Sequence, residues 1–351
     1  MKQISINQGY EKIILPFPDR VFYACWSSGE GEIAAGGDGD CIAIWTLPQT
    51  QPRLLLTTPK RESFSLRQLF WNRDSTKLLG YGVLVGWHIW DTYTGEILCS
   101  PGRPVSKQVF SACWDSDLKR VLAAHRNSVC IWDSATGERL LRISTYESMT
   151  ALWSNDKSVI FVSGYDTPRT YNAKTGKQLF ELEVESSECV VRLEPNTRGN
   201  MLLATSTEHK DWDLGPPCLW DAKTGRKILT LPKVGRSAAW GPDDTKILLY
   251  SSKPIADVFQ LSLFDLDTQR ITQTFDHTEM IFRAFFNNAG TRIISYGDNV
   301  RIFDVESGDP LRTIQSFAYV RYACLNVDET LLLTAGDDHA VRIWDLHRIM
   351  G

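Results

Sequence analysis

A short motif recurs along the whole chain: an apolar residue, an aromatic residue and then usually aspartate. The eight copies are Ile44-Trp45-Thr46, Ile89-Trp90-Asp91, Ile131-Trp132-Asp133, Thr170-Tyr171-Asn172, Leu219-Trp220-Asp221, Leu263-Phe264-Asp265, Ile302-Phe303-Asp304 and Ile343-Trp344-Asp345. Successive copies lie roughly 39 to 49 residues apart, which is close to the period of repeats that each form one four-stranded propeller blade. The repeat therefore constrains the fold far more than it constrains what the protein binds.

The third repeat shows the expected internal structure of one unit. Its four short apolar runs cover residues 109–114, 121–124, 128–132 and 139–143, and turns rich in Asp, Asn, Ser and Gly separate them. Short apolar runs between such turns are typical of β-strands joined by hairpins. The unit is predicted to contain four antiparallel strands, which we call a to d.

The turn after the aromatic position is itself repeated and usually ends in glycine. Its copies end at Gly95, Gly137, Gly176, Gly225 and Gly308. The leading Asp or Asn can bond to its own backbone, and glycine readily adopts the positive φ that such a hairpin requires. This second periodic signal supports the same division into blades.

On these motifs the chain resembles the WD-repeat (WD40) β-propeller family over nearly its whole length. It departs from the family pattern where Tyr171, Phe264 and Phe303 replace tryptophan. The family's Gly-His pair is mostly missing, with Asp276-His277 as its nearest counterpart, and the aspartate of the b–c turn is clear as Asp338. The blades are therefore expected to rely on apolar packing, with no polar group left unsatisfied where the family's network is absent.

The resemblance implies an all-β fold, an eight-bladed WD40-type β-propeller of four-stranded antiparallel blades. Only seven aromatic motifs are followed by a d-like strand, so residues 11–16 are predicted to close the last blade and cover its open edge. A seven-bladed ring is the alternative. One domain is predicted over residues 1–351, with blades near 20–58, 65–100, 108–144, 147–183, 188–231, 235–275, 280–315 and 319–346.

Composition narrows the class of protein further. The formal net charge of −4 makes non-specific attraction to nucleic acid or anionic membranes unexpected. No run of 18 apolar residues is present, and the N-terminus lacks the apolar region of a secretory signal. The eight scattered cysteines, without a CxxC pair, indicate reduced core residues in a cytoplasmic or nuclear protein.

By resemblance, the first residues of each strand a rim the top mouth of the central channel. Aligning the a strands on their last large residue gives a rim column that reads Phe22, Arg67, Phe110, Met149, Val190, Arg236, Phe282 and Arg321. The column two positions later, mostly alanine but with Arg192 in blade five, is expected to form a crowded inner wall. Aromatic residues and arginines are enriched at binding hot spots, although large rim residues that merely plug the channel are the alternative.

Loops on the same face supply further candidate contacts. Trp212 lies in a long b–c loop of blade five, and blade six has a second long loop at residues 251–258. Lys60, Arg61, Arg103 and Lys107 lie near blades one to three, whereas glutamates at 181, 183, 185, 188 and 208 lie near blade five. A rim that is basic on one side and acidic on the other could orient a partner; ordinary solvated loop charge is the alternative.

These features predict a non-catalytic scaffold that binds a partner protein or peptide over the top face, as a subunit of a larger complex. A phosphopeptide or acidic-peptide reader that uses the rim arginines is the first alternative, and a subunit of a nucleic-acid-associated complex is the second. The chain has no G-x-S-x-G, Walker or H-E-x-x-H motif, and its histidines lack metal-ligand spacing. No enzyme activity, metal or cofactor is therefore expected, and the partners should be other proteins.

Overall fold

The computed structural model of the chain describes residues 11–39, 41–57, 65–83, 86–101, 108–184, 190, 192–205, 216–235, 237–251, 259–277, 279–316 and 318–350. These residues form eight four-stranded antiparallel sheets, each of which is one propeller blade. The predicted eight-bladed all-β architecture is confirmed, and the seven-bladed alternative is excluded.

Within each blade the strands follow one another from the channel outwards. The innermost a strands are Val21–Trp26, Ser65–Trp71, Ser111–Trp114, Ser148–Trp153, Arg192–Pro195, Ser237–Trp240, Ile281–Phe286 and Val320–Leu325. The b strands are Glu32–Gly37, Lys77–Val83, Arg120–His125, Val159–Gly164, Met201–Thr205, Lys246–Tyr250, Arg292–Gly297 and Leu331–Gly336. The c strands are Cys41–Thr46, Gly86–Asp91, Ser128–Asp133, Arg169–Asn172, Cys218–Asp221, Phe259–Asp265, Val300–Asp304 and Ala340–Asp345. The outermost d strands of blades one to seven are Leu54–Thr57, Ile97–Cys99, Arg139–Ser144, Gln178–Glu181, Lys227–Thr230, Arg270–His277 and Pro310–Ile314.

The N-terminal strand Glu11–Pro16 supplies strand d of blade eight. It pairs antiparallel with strand c, from Glu11 opposite Trp344 to Pro16 opposite Ala340. Leu15 is fully buried in the contact with blade one, whereas its neighbour Ile14 is 42% exposed. The strand therefore joins the two ends of the chain through apolar burial as well as through its hydrogen-bonded ladder, as predicted.

Apolar clusters between neighbouring blades form the core. Trp45 of blade one lies in one cluster with Leu333 and Val341 of blade eight, and Ile42 of blade one lies in another with Trp90 of blade two. Because both faces of a blade are covered by its neighbours, the b strands are buried along nearly their whole length. The two faces, the channel mouths and the outer side wall formed by the d strands remain accessible for binding.

The c–d hairpins have the predicted conformation. The side-chain carboxylate of Asp91 accepts hydrogen bonds from the backbone N–H groups of Tyr93 and Thr94, at 2.8 and 2.7 Å. Gly95 closes this turn at φ 79°, a conformation that costs other residues more than glycine. The equivalent glycines 137, 176, 225 and 308 also have positive φ.

The polar network inside the blades is incomplete, and one expectation about it was wrong. In blade eight the Trp344 indole N–H donates to Thr334 Oγ1 at 2.8 Å. In blade one the equivalent position is Ala35, and the fully buried Trp45 indole N–H has no hydrogen-bond partner among the described residues. A missing polar partner therefore does leave a buried donor unsatisfied here, because blade one has the tryptophan but no acceptor at position 35.

A short helix, Leu346–Met350, follows the last strand. Leu346 and Ile349 are buried in the cluster between blades seven and eight. The Arg312 side chain of strand d in blade seven donates to the carbonyl oxygens of Ile349 and Met350. The helix thus covers part of the outer edge of blade seven.

Candidate functional site: the top mouth and the channel beneath it

The antiparallel order of strands decides which residues reach the top mouth. Strands a and c run away from this face and strands b and d run towards it, so the d–a and b–c connections lie together on it. The described rim residues from the predicted column are Phe22, Arg67, Phe110, Met149, Val190, Phe282 and Arg321. Arg67 is exposed and makes no ion pair among the described residues, Val190 is buried, and the other five are partly buried.

Six predicted contact residues lie outside the described residues: Lys60, Arg61, Arg103, Lys107, Trp212 and Arg236. The long b–c loops of blades five and six, and Glu185, Glu188 and Glu208, also lie there. Among the described glutamates, Glu181 pairs with Arg169 at 2.8 Å, and Glu183 accepts a hydrogen bond from the Lys227 N–H. The basic and acidic halves proposed for the rim therefore stay a prediction.

At blades seven and eight the structure brings two predicted rim residues into contact. The Arg321 guanidinium lies over the Phe282 ring, 5.0 Å from its centroid, and 5.3 Å from that of Tyr319. The two rings meet edge to face at 5.7 Å, and Tyr319 is 41% exposed. Such stacked arginine and aromatic groups form a partly exposed platform of the kind found at interaction hot spots.

Asp337 holds Arg321 in this position. Arg321 Nε and Nη2 donate to its two carboxylate oxygens, at 2.8 and 2.6 Å. The hydrogen bond from Arg321 lowers the pKa of Asp337, and the charge of Arg20 acts in the same direction. The edge of the guanidinium is thus occupied by a partner within the blade, whereas its flat face lies over the rings.

Blade one repeats this arrangement with different residues. Arg20 pairs with Asp38, and its guanidinium lies 5.5 Å from the centroid of the Phe22 ring. Sequence reasoning singled out Phe22 but missed Arg20, Asp38, Tyr319 and Asp337. A signal was available, because Arg20 and Tyr319 directly precede a strands and the two aspartates follow the Gly that ends a b strand.

The remaining predicted rim residues are not part of this cluster. Phe110, Met149 and Arg67 belong to blades three, four and two. Next to Met149, Glu147 forms an ion pair with the exposed Arg126 at 2.5 Å. We call the residues Arg20, Phe22, Asp38, Phe282, Tyr319, Arg321 and Asp337 the aromatic–arginine sector.

Below the rim, one residue of each strand a lines the channel. In blade five, the alignment of strand a that was predicted from its last large residue was wrong by one position. In blade one, Trp26 lies opposite Ile33, and Ile33 lies opposite the aromatic residue Trp45 of strand c. In blade five the residue in the same position is Pro195 and not Glu194, because Pro195 lies opposite Leu202 and Leu202 lies opposite Trp220. Arg192 therefore occupies the channel column, and the buried Leu193 takes the alanine position. The described channel column reads Tyr23, Gln68, Ser111, Thr150, Arg192, Ser237, Arg283 and Tyr322.

Tyrosines fill one side of the channel. The Tyr23 and Tyr322 rings are 4.2 Å apart between centroids, and their hydroxyl oxygens are 3.3 Å apart. The Gln68 side-chain amide links Tyr23 to Tyr81, at 3.4 and 3.0 Å. Burial raises the pKa of Tyr23 to about 12, so this hydroxyl stays protonated.

Charged residues occupy blades five and seven, so this charged stretch begins beside the tyrosine of blade eight. Arg192 Nη2 and Arg283 Nη2 both contact Glu194 Oε1, at 2.5 and 3.2 Å. Burial opposes the charge of Arg283, but Glu194 and the neighbouring tyrosines outweigh it and raise the pKa of Arg283. The channel therefore combines a neutral wall with a positively charged one.

The described cysteines are buried or partly buried, in part as expected for core residues. Seven are described, and none of these is in a disulfide bond: Cys25, Cys41, Cys99, Cys113, Cys130, Cys218 and Cys324. Burial raises the pKa of Cys113 and that of Cys324 to about 12, which keeps both thiols protonated and poorly nucleophilic.

Within the described ranges, no group of three or more His, Cys, Asp or Glu side chains could hold a metal ion. The same ranges contain no helix with the length and apolar character needed to cross a membrane.

Comparisons with known proteins point to one repeat family. A family model described as "WD domain, G-beta repeat" matches residues 308–345. Anaphase-promoting complex subunit cdc20 of Dictyostelium discoideum is 24% identical over 153 residues, which cover 41% of this chain and 30% of that protein. Protein FIZZY-RELATED 3 of Arabidopsis thaliana is 22% identical over 157 residues, which cover 42% of this chain and 31% of that protein. The matched region thus spans less than a third of the length of these curated relatives.

Solved structures match over nearly the whole chain. The computationally designed Ika8 protein superposes with a TM-score of 0.75 at 15% identity, covering 96% of this chain and 100% of that one. The C-terminal WD40 domain of Sif2 superposes with a TM-score of 0.75 at 17% identity, covering 96% and 99%. At these identities the likeness establishes the fold alone. Together with the repeat match in the last blade and the aromatic motif in all eight, it shows that the chain has the fold of an eight-bladed WD40-type β-propeller.

Proposed function

We propose that the protein is a non-catalytic interaction scaffold that binds a segment of a partner protein over the aromatic–arginine sector of its top mouth. The observation that carries this proposal is the position of Arg321, which lies over two aromatic rings while Asp337 holds its edge. Such a platform is pre-organised, so a partner's side chain that stacks on it finds its binding groups already ordered. The rim of a rigid ring offers this platform to an extended segment.

The pairing of the arginines favours an apolar or aromatic segment over a phosphorylated one. Phosphate is bound best by the free edge of a guanidinium, and in Arg321 and Arg20 that edge contacts aspartate. The phosphopeptide alternative then rests on Arg67 and on Arg236, which lies outside the described residues. Equal affinity for a matched phosphorylated and unphosphorylated partner peptide would reject that alternative.

Membership of a larger complex is part of the proposal. One relative is named as a subunit of the anaphase-promoting complex, and a propeller disc offers two faces and a side wall to other subunits. Cysteines without a disulfide bond among the described residues fit a cytoplasmic or nuclear location. The nucleic-acid alternative depends on the Lys60–Lys107 region, and binding that does not weaken as salt rises would argue against it.

We also propose that the protein has no catalytic activity. On the described top face, His339 hydrogen bonds through Nδ1 to the carbonyl oxygen of Pro18. A nucleophile with an oriented base next to it is what a hydrolytic site requires, and none of the described rim residues forms such a pair.

Quantitative affinity purification from the native cell tests the binding site. The wild-type protein is compared with a Phe282→Ala/Tyr319→Ala variant and with Tyr93→Ala, which removes an aromatic side chain that is 87% exposed on the opposite face. We expect a reproducible partner to be lost with the double variant and kept with Tyr93→Ala. Retention of every partner by a folded double variant would show that another surface carries the function.

A further inference from the structure

Three polar side chains share one level of the channel in consecutive blades. Arg192 of blade five lies opposite Thr205, Ser237 of blade six opposite Tyr250, and Arg283 of blade seven opposite Tyr296. These pairings are equivalent in the three blades. In each, one residue of strand b lies opposite the aromatic residue of strand c, and the partner named above follows that residue by three positions. The three residues therefore form an arc on one wall.

The charge on this wall is not balanced. Both guanidinium groups contact the same carboxylate oxygen of Glu194. Among the described residues, no second carboxylate contacts either of them. Two positive charges and one negative charge therefore face the channel, which leaves an excess of one positive charge.

This excess charge lies where water screens it less well than at the outer surface. The Arg192 and Arg283 side chains are 44% and 35% exposed, but they face a channel walled by Tyr23, Tyr322 and the b-strand tyrosines. Between low-dielectric walls a charge that is not matched favours a counter-ion strongly. Each guanidinium is therefore partly open to solvent and has further N–H donors besides the one that contacts Glu194.

Neighbouring hydroxyl groups add neutral donors. Ser237 lies in the blade between the two arginines, and its hydroxyl has no hydrogen-bond partner among the described residues. Tyr250 and Tyr296 are the b-strand partners of Ser237 and Arg283, and burial raises the pKa of both, so each keeps its proton. On the next blades round the ring, Ser111 and Thr150 are small and leave space that larger residues would fill.

We propose that Arg192, Ser237 and Arg283 bind a small oxyanion of the phosphate class inside the central channel. The three donor residues lie on successive blades, and a tetrahedral oxyanion can accept hydrogen bonds from more directions than a planar carboxylate. The bound anion would balance the excess charge and link blades five, six and seven. This site is separate from the aromatic–arginine sector and does not depend on the partner proposed for it.

Calorimetric titration of the purified chain with inorganic phosphate tests the proposal, at constant ionic strength set with chloride. We expect saturable binding to the wild type, about tenfold weaker binding after Arg192→Gln or Arg283→Gln, and roughly threefold weaker binding after Ser237→Ala. Arg270→Gln is the matched control, since it removes the same charge from an exposed position on the outermost strand of blade six. It should leave the affinity unchanged.

Glu194→Gln separates anion binding from a general loss of folding. Removing this carboxylate raises the excess charge from one to two, so phosphate should bind several-fold more tightly, whereas a damaged fold would bind less. Acetate, titrated in parallel, distinguishes a carboxylate site from a phosphate site. Absence of saturable phosphate binding, tighter binding of acetate than of phosphate, or equal affinity in Arg192→Gln and Arg270→Gln would each overturn the proposal.

Discussion

Arg321 and Asp337 form a two-point ion pair at the top mouth, with nitrogen–oxygen distances of 2.8 and 2.6 Å. The pair joins the start of strand a to the b–c turn of the same blade. It fixes the plane of the guanidinium, and that plane covers the rings of Phe282 and Tyr319. A single carboxylate thus determines which face of the arginine a partner can meet.

The Arg321–Asp337 pair should contribute to acid sensitivity. The pKa of Asp337 lies below its usual value of 3.8, so the unfolded state binds the proton more readily. The contribution is therefore complete above about pH 4 and is lost as the pH falls through the lowered folded pKa. Asp337→Asn should reduce the free energy of unfolding by about 1 kcal/mol at pH 7.

Urea unfolding of wild type and Asp337→Asn at several pH values measures this difference. The gap between the two proteins should shrink as the pH falls below 4. A gap that stays constant down to pH 2 would mean that the ion pair does not contribute.

The closing strand offers two adjacent positions with opposite burial. Leu15→Ala should lower the free energy of unfolding by about 2–5 kcal/mol, because it leaves a cavity between the first and last blades. Ile14→Ala on the same strand should cost less than about 1 kcal/mol, since Ile14 is 42% exposed. Similar losses in the two variants, measured by urea unfolding, would show that the strand does not close the ring through Leu15.

His277 should make stability depend on pH in a higher range. Its Nδ1–H donates to the carbonyl oxygen of Glu279 at 2.9 Å, so Nε2 accepts from the Ser295 hydroxyl at 3.0 Å. Burial lowers the pKa of His277 from 6.5 to about 4. Because the unfolded state binds the proton more readily between these values, stability should fall as the pH drops from 6.5 towards 4, by about 3 kcal/mol.

Thermal or urea unfolding of His277→Gln between pH 4 and pH 7.5 tests this prediction. The variant should be less stable than wild type at pH 7.5 and should lose less stability on acidification over that range. Parallel pH profiles for the two proteins would assign the dependence to other groups.

The unsatisfied indole of Trp45 predicts a stabilising substitution. Ala35 occupies the position that Thr334 has in blade eight, where the hydroxyl accepts from Trp344 at 2.8 Å. Ala35→Ser should therefore supply an acceptor and raise the free energy of unfolding by about 1 kcal/mol. The same substitution in a Trp45→Phe background should bring no gain, and an equal gain there would contradict the proposed hydrogen bond.

Local patterns in the sequence were sufficient to predict the eight-bladed architecture. The aromatic motif, the Asp-to-Gly hairpins and the absence of an eighth d strand predicted eight blades and closure by residues 11–16. Each of these signals lies within a few dozen residues, and hairpin hydrogen bonding depends on the same short stretch of chain. The prediction failed in blade five, where the last large residue before the turn is Glu194, and the ladder instead places Pro195 at the level of Trp26.

The site depended on contacts that the order of residues alone does not reveal. Phe22, Phe282 and Arg321 were recognised as rim residues, but their ion pairs and stacking partners were not. Tyr23 meets Tyr322 although 299 positions separate them, and Arg192 and Arg283 share Glu194 across two blade boundaries. The sequence by itself determined the repeat, the blade and the closing strand. The repeat and the blade depend on hairpins within one short stretch of chain, and the lack of a d strand after the eighth motif indicated that another segment closes the ring. Only the tertiary structure decided which charges balance and which aromatic groups stack, because the closed ring sets the distances between side chains on different blades.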